Sequence, residues 1–273
     1  MRDYRGKLSN PIIIEKVGDV KMKIISLVSG KGGVGKTASA INISAGLAKK
    51  GYKVLVIDID KQYNLTKILD CYNTTQKNIY NVFIEKMPPL EAIRKTGIEN
   101  LDIIPSSYDL EDVPERILLD INRSREGRLK EILKLDYDYI IIDCPPDLGT
   151  ITVNALVISD YVLVPIKIDL GGIEGFDKIT KRMNMVREEF NPKLKLLGCF
   201  ITDYFEKTVI QKQVKKNVEE QLKGKCFKTC IRHGIAYVES TFNYIPVVFN
   251  ESNVGIDYMK LVEEVLHNVK ENN

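Results

Sequence analysis

The sequence has no tryptophan and only two histidines, and its five cysteines are scattered along 273 residues. Two histidines are too few for a metal centre built on imidazole ligands. The cysteines form no C-x-x-C pair, since three residues separate Cys226 from Cys230. We therefore expect buried, reduced thiols rather than a cysteine-based site.

Long apolar runs and a strong net charge are absent too. No apolar stretch approaches the roughly 20 residues that a membrane-spanning helix needs. The first residues are polar, of mixed charge and without an apolar signal core, so we expect a cytoplasmic protein with no membrane partner. Forty basic and 37 acidic side chains leave a net charge of +3, so any case for nucleic acid must rest on local clustering.

What the sequence does contain is an alternation of buried strands and helices. Strands are predicted at Lys23–Ser29, Lys53–Ile57, Leu101–Ile104, Tyr139–Ile142, Tyr161–Pro165, Leu196–Thr202 and Phe227–Ile231. Helices are predicted at Thr37–Lys50, Arg125–Leu133, Ile173–Phe190, Gln211–Leu222 and Gly255–Val269. Continuous apolar strands alternating with helices indicate an α/β fold: a single doubly wound, mostly parallel sheet with helices on both faces. We expect one domain over residues 23–273, preceded by an N-terminal extension of residues 1–22.

The segment between the first strand and the first helix satisfies G-x-x-x-x-G-K-[ST]. Its glycines let backbone N–H groups turn toward phosphate oxygens, and the helix that follows adds partial positive charge. Lys36 can then reach the β- and γ-phosphates, and the Thr37 hydroxyl can bind Mg²⁺. The predicted ATP-binding residues are Gly30, Lys31, Gly32, Gly33, Val34, Gly35, Lys36, Thr37 and Ala38.

Carboxylates follow two of the predicted strands at the edge of the sheet that carries this loop. Asp58 and Asp60 close the second strand, and Asp143 closes the run Ile140–Ile142. A carboxylate in such a position can hold a Mg²⁺-bound water or orient an attacking water. Aspartates also end strands simply as turn formers, and the residues alone leave both interpretations open.

Lys31 makes the loop unusual, because Lys31–Thr37 reads K-G-G-x-G-K-[ST]. In this the sequence resembles the deviant Walker A ATPases, which include ParA/Soj partition ATPases, MinD and the Mrp-type iron–sulfur carriers. The resemblance implies a P-loop NTPase that forms an ATP-dependent homodimer with ATP and Mg²⁺ as cofactors. It also implies that Lys31 reaches the phosphates of the partner subunit and acts in catalysis with Lys36.

The segment Asp58–Asn64 is similar to the D-x-D-P-Q-G-N motif of the partition family. By that match Asp60 is catalytic and positions the water, and Asp58 supports the metal together with Thr37 and Asp143. Lys61 and Tyr63 stand where the family has proline and glycine. The sequence therefore leaves open the shape of this loop and the rate of hydrolysis.

Asp143 matches a Walker B aspartate, and the residues after it resemble the D-x-P-P switch II segment of the partition family. The consecutive Pro145 and Pro146 favour a rigid turn that can sense the γ-phosphate. Thr152–Leu156 matches the helix that follows in the family, and Glu174–Gly175 is similar to the E-G pair of the partition branch. These matches extend the resemblance over most of the chain.

Other branches fit less well. Mrp-type carriers have a C-x-x-C near the C-terminus, which this sequence lacks. MinD has an amphipathic membrane helix beyond its final helix, whereas the last predicted helix here has an apolar stripe typical of core packing. A MinD-like ATPase that positions itself on a membrane or scaffold remains the alternative. A third hypothesis, motivated by Lys61 and Tyr63, is a nucleotide-binding regulator with negligible turnover.

The partition branch implies three further partners or contacts. Its members bind DNA non-specifically as ATP-bound dimers, and a ParB-like protein stimulates their weak intrinsic ATPase; such a protein is cytoplasmic and associated with the nucleoid. Residues 207–232 contain eight basic and two acidic side chains, which suits a phosphate backbone but is also common on a solvated helix face. The candidate DNA contacts are Lys207, Lys212, Lys215 and Lys216.

Adenine contacts in this family come from the loops after the last two strands. The positions that match are Thr202 and Asp203 after one strand, and Ile231 and Arg232 after the other. The usual Ile-Pro-Arg reads Cys230–Arg232 here, so the match is partial.

Overall fold

A computed structural model describes residues 21–168, 172–205, 209–222 and 224–272. Residues 1–20 of the predicted extension and the candidate DNA contact Lys207 lie outside these ranges. The strands are β1 (Lys23–Leu27), β2 (Val54–Asp58), β3 (Arg94–Lys95), β4 (Leu101–Ile104), β5 (Tyr139–Asp143), β6 (Tyr161–Lys167), β7 (Lys195–Tyr204) and β8 (Cys226–Arg232). The α-helices are α1 (Lys36–Lys49), α2 (Asn64–Ile68), α3 (Ile79–Glu85), α4 (Val113–Leu119), α5 (Thr150–Ile158), α6 (Gly172–Glu189), α7 (Val209–Gln221), α8 (Ala236–Asn243) and α9 (Asn253–Glu271).

The strands of the described residues form one sheet in the order β3-β4-β2-β5-β1-β6-β7-β8. Only the two-residue β3 runs antiparallel to its neighbour, while the other neighbouring pairs are parallel. Every residue of β2 and β5 is buried, which explains why these strands read as unbroken apolar runs. The predicted fold class is confirmed.

Helices cover both faces of the sheet, and each face has its own hydrophobic core. On one face α1, α2 and α9 pack against β-strand residues such as Leu27 and Ile141. On the other face α3 to α7 pack against residues such as Ile57 and Ile142. Alternate residues of one strand therefore point into different cores, as the two-residue period of a strand requires.

The apolar stripe of α9 lies in the core, as its spacing predicts. Tyr258, Leu261, Val262 and Val265 are at most 2% exposed. The stripe meets α1 so closely that a Cβ on Gly46 would lie 2.7 Å from a methyl carbon of Val262. In the part of the chain that the structure describes, no helix combines the length and apolar character that crossing a membrane requires.

One predicted helix is wrong. The segment Arg125–Leu133 forms no α-helix, and only a 3-10 helix at Lys130–Lys134 is present in this region. The backbone N–H of Arg128 donates to Asn154 Oδ1 at 2.8 Å instead of continuing a helical ladder. Leu129 and Ile132 are both buried, and their spacing of three residues suits the tighter 3-10 turn.

The family resemblance at Thr152–Leu156 indicated α5, but five elements were predicted neither from it nor from the apolar pattern: α2, α3, α4, α8 and β3. The four helices have between five and eight residues, about two turns at most, so they cannot show a helical period. β3 has only two residues. These elements are set by tertiary contacts rather than by local pattern.

The first turn of α9 provides a stability test of this packing. A Cβ on Gly255 would lie 2.3 Å from the carbonyl oxygen of Val247, which belongs to a 3-10 helix at Val247–Phe249. We expect Gly255→Ala to lower the free energy of unfolding by about 2–3 kcal/mol, because the backbone must move to make room. Urea unfolding followed by circular dichroism measures this loss.

The neighbouring Ile256, which is 44% exposed, supplies the control. Ile256→Ala shortens a side chain that is largely in solvent and forces no backbone movement, so its loss should be clearly smaller than that of Gly255→Ala. Equal stability of Gly255→Ala and the unmodified protein would contradict the close approach of α9 to residue 247.

Candidate active site

A cleft of about 560 Å³ opens at the carboxyl edge of the sheet. Its walls come from the loop after β1, the turn after β2, switch II, the ends of β7 and β8, and the start of α9. The lining residues are Ser29, Lys31, Gly32, Gly33, Val34, Gly35, Lys36, Thr37, Ala38, Asp60, Gln62, Asn64, Pro146, Thr202, Asp203, Ile231, Arg232, His233, Gly234, Val254 and Tyr258. The cleft thus brings together most of the predicted ATP-binding and adenine residues.

The phosphate loop has the backbone conformation that its glycines allow. Gly33 and Gly35 have φ angles of +73° and +76°, in the left-handed region that side chains disfavour. Gly30 crosses the backbone of α6 so closely that a Cβ on it would lie 3.3 Å from both Cα and O of Gly175. The close crossing accounts for the glycine at position 30, whereas a Cβ on Gly175 would lie at an ordinary 4.0 Å from Gly30 Cα.

Thr202, at the end of β7, supports the loop from beneath. Its buried hydroxyl donates to the carbonyl oxygen of Val34 at 2.9 Å. This residue was predicted to contact adenine, and the structure places its hydroxyl on the loop backbone.

Lys36 forms a buried ion pair with Asp143. Its ammonium lies 3.3 Å from Asp143 Oδ1, and the two side chains are 7% and 1% exposed. Burial lowers the pKa of Lys36, but the surrounding negative charges, first of all Asp143 and then Asp60, outweigh burial and hold the pKa above its usual value. The lysine therefore stays charged at neutral pH and neutralises the carboxylate.

The second oxygen of Asp143 is well suited to a hard cation. Among the described residues Asp143 Oδ2 is buried without a hydrogen-bond partner, and such an oxygen is costly to leave unsatisfied. The Thr37 side chain lies close enough to the same carboxylate to lower its pKa, against the larger effect of burial, which raises it. A carboxylate and a hydroxyl are ligands that Mg²⁺ accepts, so these two residues fit the predicted metal site.

Asp58 lies beside Asp143 in the sheet register but is held by its own chain. Asp58 Oδ1 accepts from the N–H of Asp60 at 3.1 Å, and Oδ2 accepts from the N–H and hydroxyl of Thr66 at 2.9 and 2.7 Å. Burial, followed by the Asp143 carboxylate, raises its pKa to about 7. Asp58 does not line the cleft, so the structure shows it organising the turn after β2, and its metal role stays a prediction.

Asp60 does line the cleft and is 9% exposed. Asp60 Oδ1 accepts from the N–H of Gln62 at 2.9 Å, and the Asp60 carbonyl accepts from the Ser106 hydroxyl at 2.7 Å. Backbone and side chain are therefore both fixed, with the carboxylate at the cleft wall where it could orient a water. The switch II residue Pro146 lines the same cleft, whereas Pro145 does not.

The ends of β7 and β8 bring charged and aromatic side chains to the cleft. Arg232 is turned onto α9, where its Nε and Nη2 donate to the two oxygens of Asp257, each at 2.8 Å. His233 Nδ1 is 2.5 Å from Asp203 Oδ1, and its ring stacks on Phe205 with centroids 4.4 Å apart. His233 thus takes a place at the cleft that the sequence did not assign.

Six other lining residues were not predicted as site residues, namely Ser29, Gln62, Asn64, Gly234, Val254 and Tyr258. The last two are four residues apart at the start of α9, and the Tyr258 hydroxyl lies 3.2 Å from Ser39 Oγ of α1. Helical spacing identified Tyr258 only as a core residue. Its second role depends on the packing of α9 beside α1, which the sequence pattern does not specify.

The candidate DNA-contacting lysines of α7 lie outside the cleft lining. Lys215 and Lys216 face acidic neighbours one turn on, with distances of 3.5 Å to Glu219 and 3.9 Å to Glu220. Lys212 is exposed. The helix therefore presents both signs of charge along one side, and its DNA role stays a prediction.

The chain is similar to known nucleotide-binding proteins over most of its length. A family model described as AAA_31, an AAA domain, matches residues 22–196. The sporulation initiation inhibitor protein Soj of Bacillus subtilis is 34% identical over 252 residues, which cover 90% of this chain and 99% of that protein. The chain belongs to the ParA/Soj family of P-loop ATPases.

Two solved structures extend the similarity of this ParA/Soj family member. A putative plasmid partition protein from Borrelia burgdorferi, bound to AMPPNP, is 29% identical with a TM-score of 0.74, covering 93% of this chain and 100% of that one. A cobyrinic acid a,c-diamide synthase from Mycobacterium smegmatis, with bound ADP and magnesium, is 26% identical with a TM-score of 0.80, covering 93% and 97%. The fold and the family that the sequence motifs implied are confirmed.

The buried pair in the cleft leads to a pH-dependent prediction. Without nucleotide and Mg²⁺, Lys36→Met leaves Asp143 and Asp58 buried together without the ammonium, so we expect a loss of about 3 kcal/mol in the free energy of unfolding at about pH 8. The loss should shrink toward about pH 5, because the pKa values of Asp58 and Asp143 are raised in the folded protein. The cost of burying their negative charge is complete above the raised pKa and decreases as the pH falls toward the ordinary pKa of a carboxyl group. Urea unfolding at both pH values measures the difference.

Lys61→Met is the matched control, since Lys61 pairs with Glu111 at 2.7 Å but both side chains are more than 40% exposed. We expect only a small change there, with little dependence on pH. An equal loss for Lys36→Met at both pH values would contradict the assignment of the destabilisation to ionised carboxylates.

Proposed function

We propose that this ParA/Soj ATPase is the motor protein of a DNA-partition system, serving a plasmid or a chromosome. ATP closes it into a homodimer, the dimer binds DNA non-specifically, and a ParB-like partner stimulates hydrolysis of ATP to ADP and phosphate. In this proposal the protein acts in the cytoplasm, on the nucleoid. The observation that carries it is a single cleft that combines Lys31, Lys36 and Asp60.

In this proposal the loop glycines, Lys36 and Asp60 have different tasks in binding and hydrolysing ATP. The left-handed Gly33 and Gly35 leave the loop backbone free of Cβ atoms where phosphate oxygens approach. Lys36 carries the positive charge that binds the β- and γ-phosphates and offsets charge that develops during transfer. Asp60 accepts a hydrogen bond from a water and orients it toward the γ-phosphate.

Thr37 and Asp143 are the residues that would hold Mg²⁺, because they offer a hydroxyl and, among the described residues, a buried carboxylate oxygen without a hydrogen-bond partner. When bound, the ion neutralises phosphate charge and makes the γ-phosphorus easier to attack. Lys36 would be free to contact phosphate oxygens where such an ion neutralises Asp143, since the two side chains now form an ion pair with each other. ATP and Mg²⁺ are thus the cofactors that this site fits.

The position of Lys31 is the observation that favours the proposed homodimer. It is exposed and lies in the cleft lining, ahead of the helix whose N-terminus receives the phosphates. Lys36 is buried beneath the same loop, so the two lysines of the loop face different environments. A cation at the open side of the cleft can approach the nucleotide of a second subunit, and this is the role that the deviant Walker A resemblance implies.

Partition is favoured over a MinD-like role by the similarity to Soj and to a plasmid partition protein. The apolar stripe of α9 is in the core, so those side chains are already committed to folding. Lys212 and its neighbours on α7 supply basic groups for DNA, and contact with a phosphate backbone would make affinity fall with salt.

The dimer switch predicts that Lys31→Ala separates nucleotide binding from DNA binding. We expect the unmodified protein with ATP and Mg²⁺ to dimerise and retain non-specific duplex DNA, and to lose DNA between about 50 and 200 mM salt. Lys31→Ala should bind ATP within about threefold of the unmodified affinity, because Lys36 and the loop backbone remain, but stay monomeric and release DNA. Light scattering and fluorescence anisotropy measure the two properties.

Lys270→Ala, which removes another exposed lysine near the end of α9, is the control and should behave as the unmodified protein does. If ATP has no effect on DNA retention by the unmodified protein, the partition proposal is wrong. ATP-dependent sedimentation with liposomes in that case would support the MinD-like alternative instead.

A further inference from the structure

The turn after β2 contains a tyrosine in a backbone conformation that suits glycine. Tyr63 has φ 43° and ψ 36°, in the left-handed region where side chains are disfavoured. This is the position at which the D-x-D-P-Q-G-N motif has glycine. The chain therefore has tyrosine in a conformation that glycine adopts most easily.

That conformation is directly connected to the backbone of Asp60. The N–H of Tyr63 donates to the carbonyl oxygen of Asp60 at 2.9 Å and closes the turn. The carbonyl oxygen of Tyr63 accepts from the N–H of Lys67 at 3.0 Å and begins α2. A change of φ at residue 63 would break the connection between Asp60 and the helix, since both bonds involve the backbone of this one residue.

The Tyr63 side chain makes contacts that compensate for the disfavoured backbone. Its ring stacks on Tyr72, with centroids 4.8 Å apart and planes 12° from parallel. The ammonium of Lys67 lies 3.8 Å from the centroid of the Tyr63 ring, and it also donates to the Gln62 carbonyl at 3.4 Å. The Tyr63 ring is thus held in place by stacking and cation–π contacts, which glycine could not make.

The second departure from the motif is also tied to a neighbour. The ammonium of Lys61 lies 2.7 Å from Glu111, and Lys61 and Tyr108 together lower the pKa of that carboxyl. Lys61 is thereby linked to the 3-10 helix at Tyr108–Asp112. The link anchors the start of the turn, whereas only residue 63 determines how the turn enters α2.

We propose that Tyr63 is a positioning residue for Asp60. Its stack on Tyr72 keeps residue 63 left-handed, which keeps the Asp60–Tyr63 turn closed and the Asp60 carboxylate at the cleft wall. Without the stack, the backbone of residue 63 relaxes toward negative φ and the turn opens. The inference rests on the proposed function, in which Asp60 orients the attacking water.

The test uses three variants. Tyr72→Ala removes the stacking partner, Tyr63→Gly supplies a residue that is left-handed without help, and the double variant combines them. We expect Tyr72→Ala to lower kcat by about three- to tenfold, less than the roughly hundredfold that a 1 Å misplacement can cause. KM for ATP should change by less than about twofold, because the phosphate loop is intact.

Rescue by glycine distinguishes positioning from general destabilisation. Tyr63→Gly should keep kcat within about twofold of the unmodified value, and adding Tyr72→Ala to it should have no further effect, since the stack is then already absent. Tyr244→Gly is the matched control, because Tyr244 is also left-handed at φ 57° but is not part of the cleft lining. It should leave kcat unchanged.

A second measurement requires no nucleotide. Trypsin cleavage after Lys61 or Lys67, identified by mass spectrometry, should be faster in Tyr72→Ala than in the unmodified protein, and Tyr63→Gly should suppress the increase. If cleavage and kcat of Tyr72→Ala match the unmodified protein, or if Tyr72→Ala is equally harmful when combined with Tyr63→Gly, the positioning proposal is wrong.

Failure of the proposed function would look different. Asp60→Ala, measured beside these variants, should lose turnover while binding ATP. If Asp60→Ala hydrolyses ATP as fast as the unmodified protein, Asp60 does not orient the water, whatever the proteolysis shows. If Asp60→Ala keeps its ATPase rate and Tyr72→Ala is still cleaved faster, the stack does close the turn, but the closed turn does not serve catalysis.

Discussion

The pairing of β5 with both β1 and β2 is the constraint on which the site depends. Asp143 at the end of β5 is level with Leu27 on one side and Asp58 on the other. Parallel strands in this register bring the phosphate loop and two carboxylates to one edge of the sheet. A shift of β5 by one residue would turn Asp143 toward the opposite core, so the register of β5 decides whether this carboxylate meets Lys36.

This arrangement concentrates negative charge in a buried place. Asp58 and Asp143 are fully buried neighbours, and the chain manages them differently: Thr66 and the Asp60 backbone solvate one, and Lys36 neutralises the other. Buried charges are tolerated only when they are paired or hydrogen-bonded. The one oxygen of Asp143 that remains without a partner among the described residues is the point at which the inner site is incomplete, and there a cation fits.

Much of this could be predicted from the sequence, because the relevant signals are local. The loop motif, the buried strands and the long helices identified the fold, and the deviant motif identified the family through Lys31. The long helix expected at Arg125–Leu133 failed because Asn154, distant in sequence, takes the N–H of Arg128. His233 and Tyr258 were missed for a related reason: their places at the cleft follow from how β8 and α9 pack, and spacing along the chain does not show this.

Tyr63 shows the opposite case, in which the sequence left the backbone conformation open and the structure shows it. Replacing glycine with tyrosine left the shape of the turn open. In the structure the backbone of Tyr63 is left-handed, and Tyr72 and Lys67 pack around its ring. A tyrosine can therefore occupy a conformation that favours glycine when neighbouring side chains contact its ring.

The crossing of Gly30 and Gly175 has a mechanical consequence. With so little clearance between the two backbones, no solvent layer separates the phosphate loop from the first turn of α6. The loop therefore cannot shift toward the helix without pushing it. Since α6 is 18 residues long and buries Phe176, Ile179 and Met183 in the hydrophobic core of one face, the position of the loop is tied to the packing of that core.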